Sequence, residues 1–209
     1  MKRQHLLVLL LSVNLALLIL LVNFNFMVFN ESYYIEQFRK NDVYSKVPEA
    51  EQVLDNVFVF FEGKELSSEF FEEKEILHMK DVKRLIERGS YLLYSLVGSF
   101  LILVVVLIKT TNRNKVVKYL GFSLIAGGSI VIGVSLLLWL FDFSSQFTNF
   151  HLIFFPQGNW MFPSESMLIG LFPKAFFYDI SFRIFRNSVI TAVLLMIVGM
   201  FFVIPKRKS

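Results

Sequence analysis

YLLYSLVGSFLILVVVLIKTTNRNKVVK, residues 91–118, is the stretch on which the fold of this chain turns. Its first part, residues 91–108, is an unbroken apolar run of the length that crosses a hydrocarbon core as a helix. Its last part, residues 109–118, carries four basic residues and no acidic one. A short basic connection after a spanning helix marks the cytoplasmic side of a membrane, and the chain must then return. The return is apolar: residues 119–140 form a second long run, with Gly121, Ala126, Gly127, Gly128 and Gly133 small enough for close helix contact.

Outward from this pair, each end of the chain holds one further span. Residues 6–24 follow a positive start, MKRQH. The flank and the run also fit a signal peptide. The run is longer than a usual signal core, and it leads into NFNFMVFN rather than a small-x-small cleavage site. A spanning helix is therefore expected, with Asn14 near its middle facing a protein partner. The last span, residues 188–204, is short, and PKRKS follows it.

Composition agrees. Of 209 residues, 55% are hydrophobic and 18% charged, too little charge to cover a water-soluble domain of this size. There is no cysteine, which removes disulfides, thiolate metal sites and thioester chemistry. Residues 25–90 hold fourteen of the seventeen acidic residues, while the two ends and the 109–118 connection are basic. That is the pattern of an oriented membrane protein, not of a nucleic-acid binder.

The expected fold is an all-α membrane protein, one integral membrane domain of four spanning helices. The spans are 6–24, 91–108, 119–140 and 188–204. The 109–118 loop and both termini lie in the cytoplasm, and two segments, 25–90 and 141–187, lie outside. In the first, ESYYIEQF reads as a juxtamembrane helix or loop, with Tyr33, Tyr34 and Phe38 at headgroup level. VFVFF, residues 57–61, has strand character and predicts a small β element. A helix is expected from Ser67–Ser68, with Ser68 as N-cap. The second segment holds 12 of the 25 phenylalanines, so it lies in the interface, with MLIGLFPKAFF as an immersed hairpin or helix.

Three histidines exist. His5 sits beside the basic start and receives no role. His78, on a charged helix, reads alone as a solvated or capping residue. His151, in FTNFHLIFFPQGNWMF at 147–162, reads alone as an interfacial histidine bonded to a carbonyl. Together they are the two external histidines, and imidazole takes and returns protons near neutral pH. Glu75 and Asp81 flank His78 at three-residue spacing and are candidates to orient an imidazole.

Asn159 and Trp160 are candidate hydrogen-bond donors to a developing oxyanion, or simply a Pro-Gln-Gly-Asn turn held by a ring. Arg183 and Arg186 are placed to bind a lipid phosphate or a carboxylate, or to anchor the last span by snorkelling. Tyr91, with Tyr94 one turn on, marks the entry of the second span. Ser164 and Ser166 lack a Gly-x-Ser-x-Gly elbow, and no HExxH-like spacing points to a metal.

FHLIFFPQGNWMF with LFPKAFF, preceded by EEKEILHMKDV and ESYYIEQF, resembles the lipoprotein intramolecular transacylase family of Gram-positive bacteria, formerly of unknown function. The resemblance covers essentially the whole chain. It departs at Leu152, where the family is often polar, and at Pro163-Ser164, where an Asp-Pro is common; both touch surroundings of the site and not its histidines.

The resemblance implies a monomeric enzyme of the bacterial cell membrane, working among membrane lipids with its site on the outer face. Its substrate is a diacylglyceryl-modified lipoprotein, and it moves the sn-2 acyl chain to the N-terminal cysteine amine, leaving a lyso-form lipoprotein. It also implies that His78 and His151 are the catalytic pair. The expected roles are His78 as base and His151 as oxyanion donor or acid, with the reverse assignment open. No cofactor is expected, since the ester already carries the activated acyl group. A different lipid acyltransferase, a phospholipase or a non-enzymatic lipoprotein-binding protein are the alternatives.

Overall fold

A computed structural model describes residues 3–204. The basic ends at Lys2 and at Lys206, Arg207 and Lys208 lie outside the described residues. Eight α-helices follow in chain order: α1 (Arg3–Val28), α2 (Glu31–Lys40), α3 (Ala50–Phe61), α4 (Glu73–Thr110), α5 (Arg113–Trp139), α6 (Phe143–Phe154), α7 (Met167–Leu171) and α8 (Lys174–Val203). Among the described residues there is no strand. Four helices, α1, α4, α5 and α8, are long and apolar enough to cross a membrane. The protein is thus an all-α, multi-pass membrane protein.

The chain divides into two compact units. One comprises residues 1–24, 90–140 and 183–209; the other comprises residues 25–89 and 141–182. In the first, Leu15, Ala16 and Ile19 of α1 pack with Val131 of α5 and Ala192 of α8, and Leu7 and Leu11 pack with Leu107 and Val116. Leu101, Ile102, Val105 and Ile108 of α4 stay exposed, as lipid-facing side chains must.

Small residues set the helix spacing there. A Cβ on Gly121 would lie 2.8 Å from the carbonyl oxygen of Gly199, and one on Gly127 would lie 2.9 Å from that of Ser12. Gly133, expected to serve the same purpose, faces open space. Asn14 meets its partner as expected: Nδ2 donates to Ser99 Oγ at 2.5 Å.

The second unit is a helical cluster around aromatic rings. Asn30 caps α2, its side chain accepting from Tyr33 N–H at 3.1 Å. Tyr33, Tyr34 and Phe38 are buried in the unit and not held at its surface. Tyr34 contacts the rings of Phe58, Phe172 and Phe176, and its hydroxyl donates to the Val28 carbonyl at 3.0 Å.

The expected β element at 57–61 is the last part of helix α3. Val53, Leu54, Val57 and Phe60 recur at helical spacing and are all buried, so burial of one helical face outweighs the strand preference of VFVFF. Lys83 Nζ donates to the Phe60 carbonyl at 2.7 Å, a cation placed at the negative end of α3.

Two helix boundaries also differ from expectation. The helix anticipated from Ser68 starts at Glu73 and runs without a break into the 91–108 run. The change from charged to apolar residues at position 90 changes the environment, but no proline or cap stops the backbone there. Ser67 Oγ instead accepts from Glu69 N–H in a turn. Likewise α8 begins at Lys174, directly after Pro173, well before the expected span at 188. MLIGLFPKAFF is thus split by Ser166-capped α7 and the start of α8.

Candidate active site

His78 lies in the charged first half of α4, before the apolar run that begins at Tyr91, and His151 lies near the end of α6. Both belong to the second unit. Asp142 starts α6 by accepting from Ser145 N–H at 2.9 Å, which sets the helical phase that turns His151 inward. The helix ends at Phe154, and Gly158 at φ +75° makes the following turn, a left-handed geometry that favours glycine. This turn carries Gln157, Asn159 and Trp160 back towards α4.

The two imidazoles face one another. Their centroids are 6.2 Å apart and their planes differ by 24°. Each is almost buried, with 8% of His78 and 7% of His151 exposed. Aromatic rings enclose them. Phe155 and Phe162 stand 4.8 and 5.5 Å from His78, and Phe147 and Trp160 stand 4.2 and 4.7 Å from His151. Water is largely excluded, so fixed dipoles act strongly.

His151 Nδ1 is 2.7 Å from the Phe147 carbonyl oxygen, one helical turn back. A carbonyl only accepts, so Nδ1 carries the hydrogen and donates, and Nε2 holds the lone pair. Burial lowers the basicity of His151, with the Phe147 carbonyl opposing it. Burial, then the nearby His151, push His78 down to about 4, against the hydrogen-bonding Asn159 side chain and the Asp81 charge. Both rings are therefore neutral near pH 7, and each offers a lone pair.

Of the other sequence candidates, Asp81 and Asn159 meet at this site. Asp81 Oδ2 accepts from Asn159 Nδ2 at 2.7 Å and from Gln157 Nε2 at 2.5 Å, and Asp81 Oδ1 pairs with Arg84. Burial raises the Asp81 carboxyl, but the Asn159, Arg84 and Gln157 hydrogen bonds together hold it below the usual carboxylate range. Beside it opens a cavity of about 400 Å³ lined by Asp81, Arg84, Leu85, Arg88, Phe154 and Gln157.

Glu75 is 2% exposed, and its carboxylate accepts from backbone N–H groups, Glu72 and Leu168, each at 2.9 Å. It joins the first turns of α4 and α7. Tyr91, Arg183 and Arg186 fall in the other compact unit. Tyr91 is 69% exposed, and Arg186 bonds the neighbouring Asn187 side chain at 3.4 Å.

Sequence reasoning missed Gln157 and Lys74, whose Nζ donates to the Met161 carbonyl at 2.6 Å, and it anticipated a carbonyl partner for His151 without naming Phe147. Only the helical offset of four between Phe147 and His151 signalled any of these. Among the described residues no cluster of three or more histidine or carboxylate ligands could hold a metal.

The sequence profile of the lipoprotein intramolecular transacylase Lit matches residues 8–177, most of the chain and both histidine segments. The chain belongs to the lipoprotein intramolecular transacylase family. This transacylase is therefore an acyltransferase: it moves an acyl chain from oxygen to nitrogen within one lipoprotein.

The fold is also that of the family. The transacylase is similar to the integral membrane lipoprotein intramolecular transacylase Lit of Bacillus cereus, with a TM-score of 0.82 at 18% identity, over 96% of this chain and 95% of that one. Two further structures of the Bacillus cereus protein carry a histidine replaced by arginine or by alanine. Each aligns with a TM-score of 0.77 at 18% identity, over 96% of this chain and 92% or 93% of that one. At that identity the likeness speaks for the fold alone. No curated protein sequence matches the transacylase significantly.

Proposed function

We propose that His78 and His151 are the catalytic residues of the transacylase, with His151 as the proton carrier. The observation that carries this is the 2.7 Å bond from His151 Nδ1 to the Phe147 carbonyl, made opposite a second buried imidazole. The substrate is a lipoprotein whose N-terminal cysteine bears a diacylglyceryl thioether and a free α-amine. Such an amine has a pKa of roughly 8, so an appreciable fraction is neutral near pH 7.

The attacking amine nitrogen bonds to the sn-2 ester carbonyl carbon. His78, kept neutral, accepts a hydrogen bond from the amine and aims its lone pair. His151 Nε2 takes the proton that the nitrogen sheds on attack, and the charge on its ring is stabilised through Nδ1–H by the Phe147 carbonyl. The Trp160 indole N–H, against the His151 ring, is the donor for the tetrahedral oxyanion. Collapse breaks the bond from the acyl carbon to the glyceryl oxygen, and His151 returns its proton to that oxygen. The products are an amide on the cysteine nitrogen and a free sn-2 hydroxyl.

This assignment moves the base role expected of His78 to His151, keeps His151 as the acid and takes the oxyanion role from it, because the Phe147 bond occupies the one N–H of neutral His151. It leaves that ring nothing to donate until it has taken a proton. Because amine and ester belong to one molecule, orientation within the aromatic enclosure supplies much of the acceleration. Phe147, Phe155 and Phe162 are the walls along which acyl chains lie.

The basic 109–118 connection, with acidic residues concentrated in 25–90, supports an orientation with both termini cytoplasmic. The spans 6–24, 91–108, 119–140 and 188–204 then leave His78 and His151 on the outer side, where lipoprotein amines and esters lie.

The test is mass spectrometry of the N-terminal peptide of a lipoprotein from a host that makes only the diacyl form. Expressing this chain should move one acyl group onto the cysteine nitrogen with no release of fatty acid. His78→Ala and His151→Ala should leave the diacyl peptide unchanged. Free fatty acid would indicate a phospholipase, and transfer at wild-type rate by either variant would remove the two-histidine scheme.

A further inference from the structure

Proton transfer between the histidines leaves one feature of α4 unused. His78, Asp81, Leu85 and Arg88 recur at spacings of three, four and three, which places them in one stripe along the helix. From His78 to Arg88 the helix rises about 15 Å. The stripe runs towards the apolar span, and Arg88 stands three residues before Tyr91, where that run begins.

The cavity of about 400 Å³ opens along this stripe, walled by Asp81, Arg84, Leu85 and Arg88 of α4, by Phe154 at the end of α6 and by Gln157. The Asp81 carboxylate is spent on Arg84, Asn159 and Gln157. The Arg88 guanidinium, by contrast, is exposed and has no hydrogen-bond or ion-pair partner among the described residues. One acidic and two basic side chains give the cavity a net positive charge, which calls for an anion. Phe154 and its neighbours Leu152 and Ile153 are exposed. Apolar side chains next to an arginine suit a bilayer surface, where acyl chains cover the former and phosphates meet the latter.

We propose that this cavity is a phosphate-binding site that takes the headgroup of a phospholipid, with Arg88 as the principal donor. A guanidinium presents parallel N–H groups that match two phosphate oxygens. Arg84, though shared with Asp81, adds its positive charge. Leu85 and Phe154 give the glycerol and the first acyl carbons an apolar wall. Basic pockets of membrane proteins hold lipid head groups in this way. The volume falls within the range of small-ligand sites, about 300–1,000 Å³. A peptide carboxylate carries the same sign of charge, but the stripe runs towards the span and part of the wall is apolar, which favours the lipid. Occupancy needs no acyl transfer, so the site stands apart from the two-histidine scheme.

Native mass spectrometry of the full-length protein, released from detergent micelles, tests this with phosphatidylglycerol as the probe. Diacylglycerol, which has the same chains without the phosphate, and inorganic phosphate are the comparison ligands. Wild-type protein should retain phosphatidylglycerol in preference to diacylglycerol. Arg88→Gln should weaken that retention about 10- to 100-fold, the worth of a lost charge-assisted hydrogen bond. Lys64→Gln, which removes an exposed cation that does not line the cavity, should leave it unchanged. Equal retention of phosphatidylglycerol by wild type and Arg88→Gln would overturn the proposal, as would equal retention of phosphatidylglycerol and diacylglycerol by wild type. Arg88-dependent binding of inorganic phosphate with no retention of phosphatidylglycerol would overturn the lipid assignment and leave a free anion as the ligand.

Discussion

His78 on α4 and His151 on α6 stack with their ring centroids 6.2 Å apart. At that distance, in a nearly dry enclosure, a charge on one ring opposes a charge on the other, and the pair carries one proton at a time. His151→Ala is expected to lower transacylation by about 10²- to 10⁴-fold, the usual worth of a general base. Mass spectrometry of N-acylated against diacyl peptide over time measures this.

Acid should destabilise the protein through the same pair. In the unfolded chain an imidazole titrates near 6.5, whereas in the folded protein His78 is pushed down to about 4 and His151 is also lowered. As pH falls below about 6.5, the unfolded chain binds protons that the folded site refuses. Stability from this source is complete above that pH and is lost progressively towards pH 4. Thermal unfolding in detergent at pH 7 and pH 5 should show the drop, and His78→Ala should reduce it.

Glu75 supports the site through backbone hydrogen bonds. It sits three residues into α4 from Glu72 and accepts that residue's N–H, as in half of a capping box, while also holding Leu168 N–H. Glu75→Ala leaves both donors without it and is expected to cost about 1–3 kcal/mol of stability. Denaturant titration measures the loss. A stability equal to wild type would show that other groups take over both N–H bonds.

The Lys40–Asp179 pair offers a contrast. Its atoms are 2.6 Å apart, but the lysine is 58% exposed. Lys40→Ala should cost no more than about 1 kcal/mol, because solvent screens the attraction. The same titration applied to this variant should give a curve nearly superimposed on that of wild type.

Helix contact in the other unit rests on glycine at 121. Its missing Cβ is what allows the carbonyl of Gly199 to approach. Gly121→Leu should push α5 from α8 and destabilise by about 1–3 kcal/mol or more, as over-packing does. Gly133→Ala, facing open space, should leave the unfolding temperature unchanged, and comparing the two by thermal unfolding isolates the contact.

The primary structure alone determined the number of spans, which depends on local composition: apolar runs long enough for the hydrocarbon core. It also singled out His78 and His151, because few groups outside the spans can carry a proton near pH 7. The turn around Gly158 was legible in Pro-Gln-Gly-Asn for the same local reason, whereas the cap expected at Ser68 was not the helix start.

Only the tertiary structure decided what depends on residues distant in the chain. Residues 57–61 are helical because Val53, Leu54 and Val57 share one buried face with Phe60, a gain that strand preference cannot match. Helix α4 runs through position 90 because a change of solvent is not a stop signal for the backbone. Tyr34 and Phe38 are core rings because Phe58, Phe172 and Phe176 come to meet them. The tautomer of His151 and the Asp81–Asn159 bond follow from three-dimensional proximity. Hydrogen bonds act over about 3 Å, and no spacing in the sequence records which carbonyl or amide will stand that close.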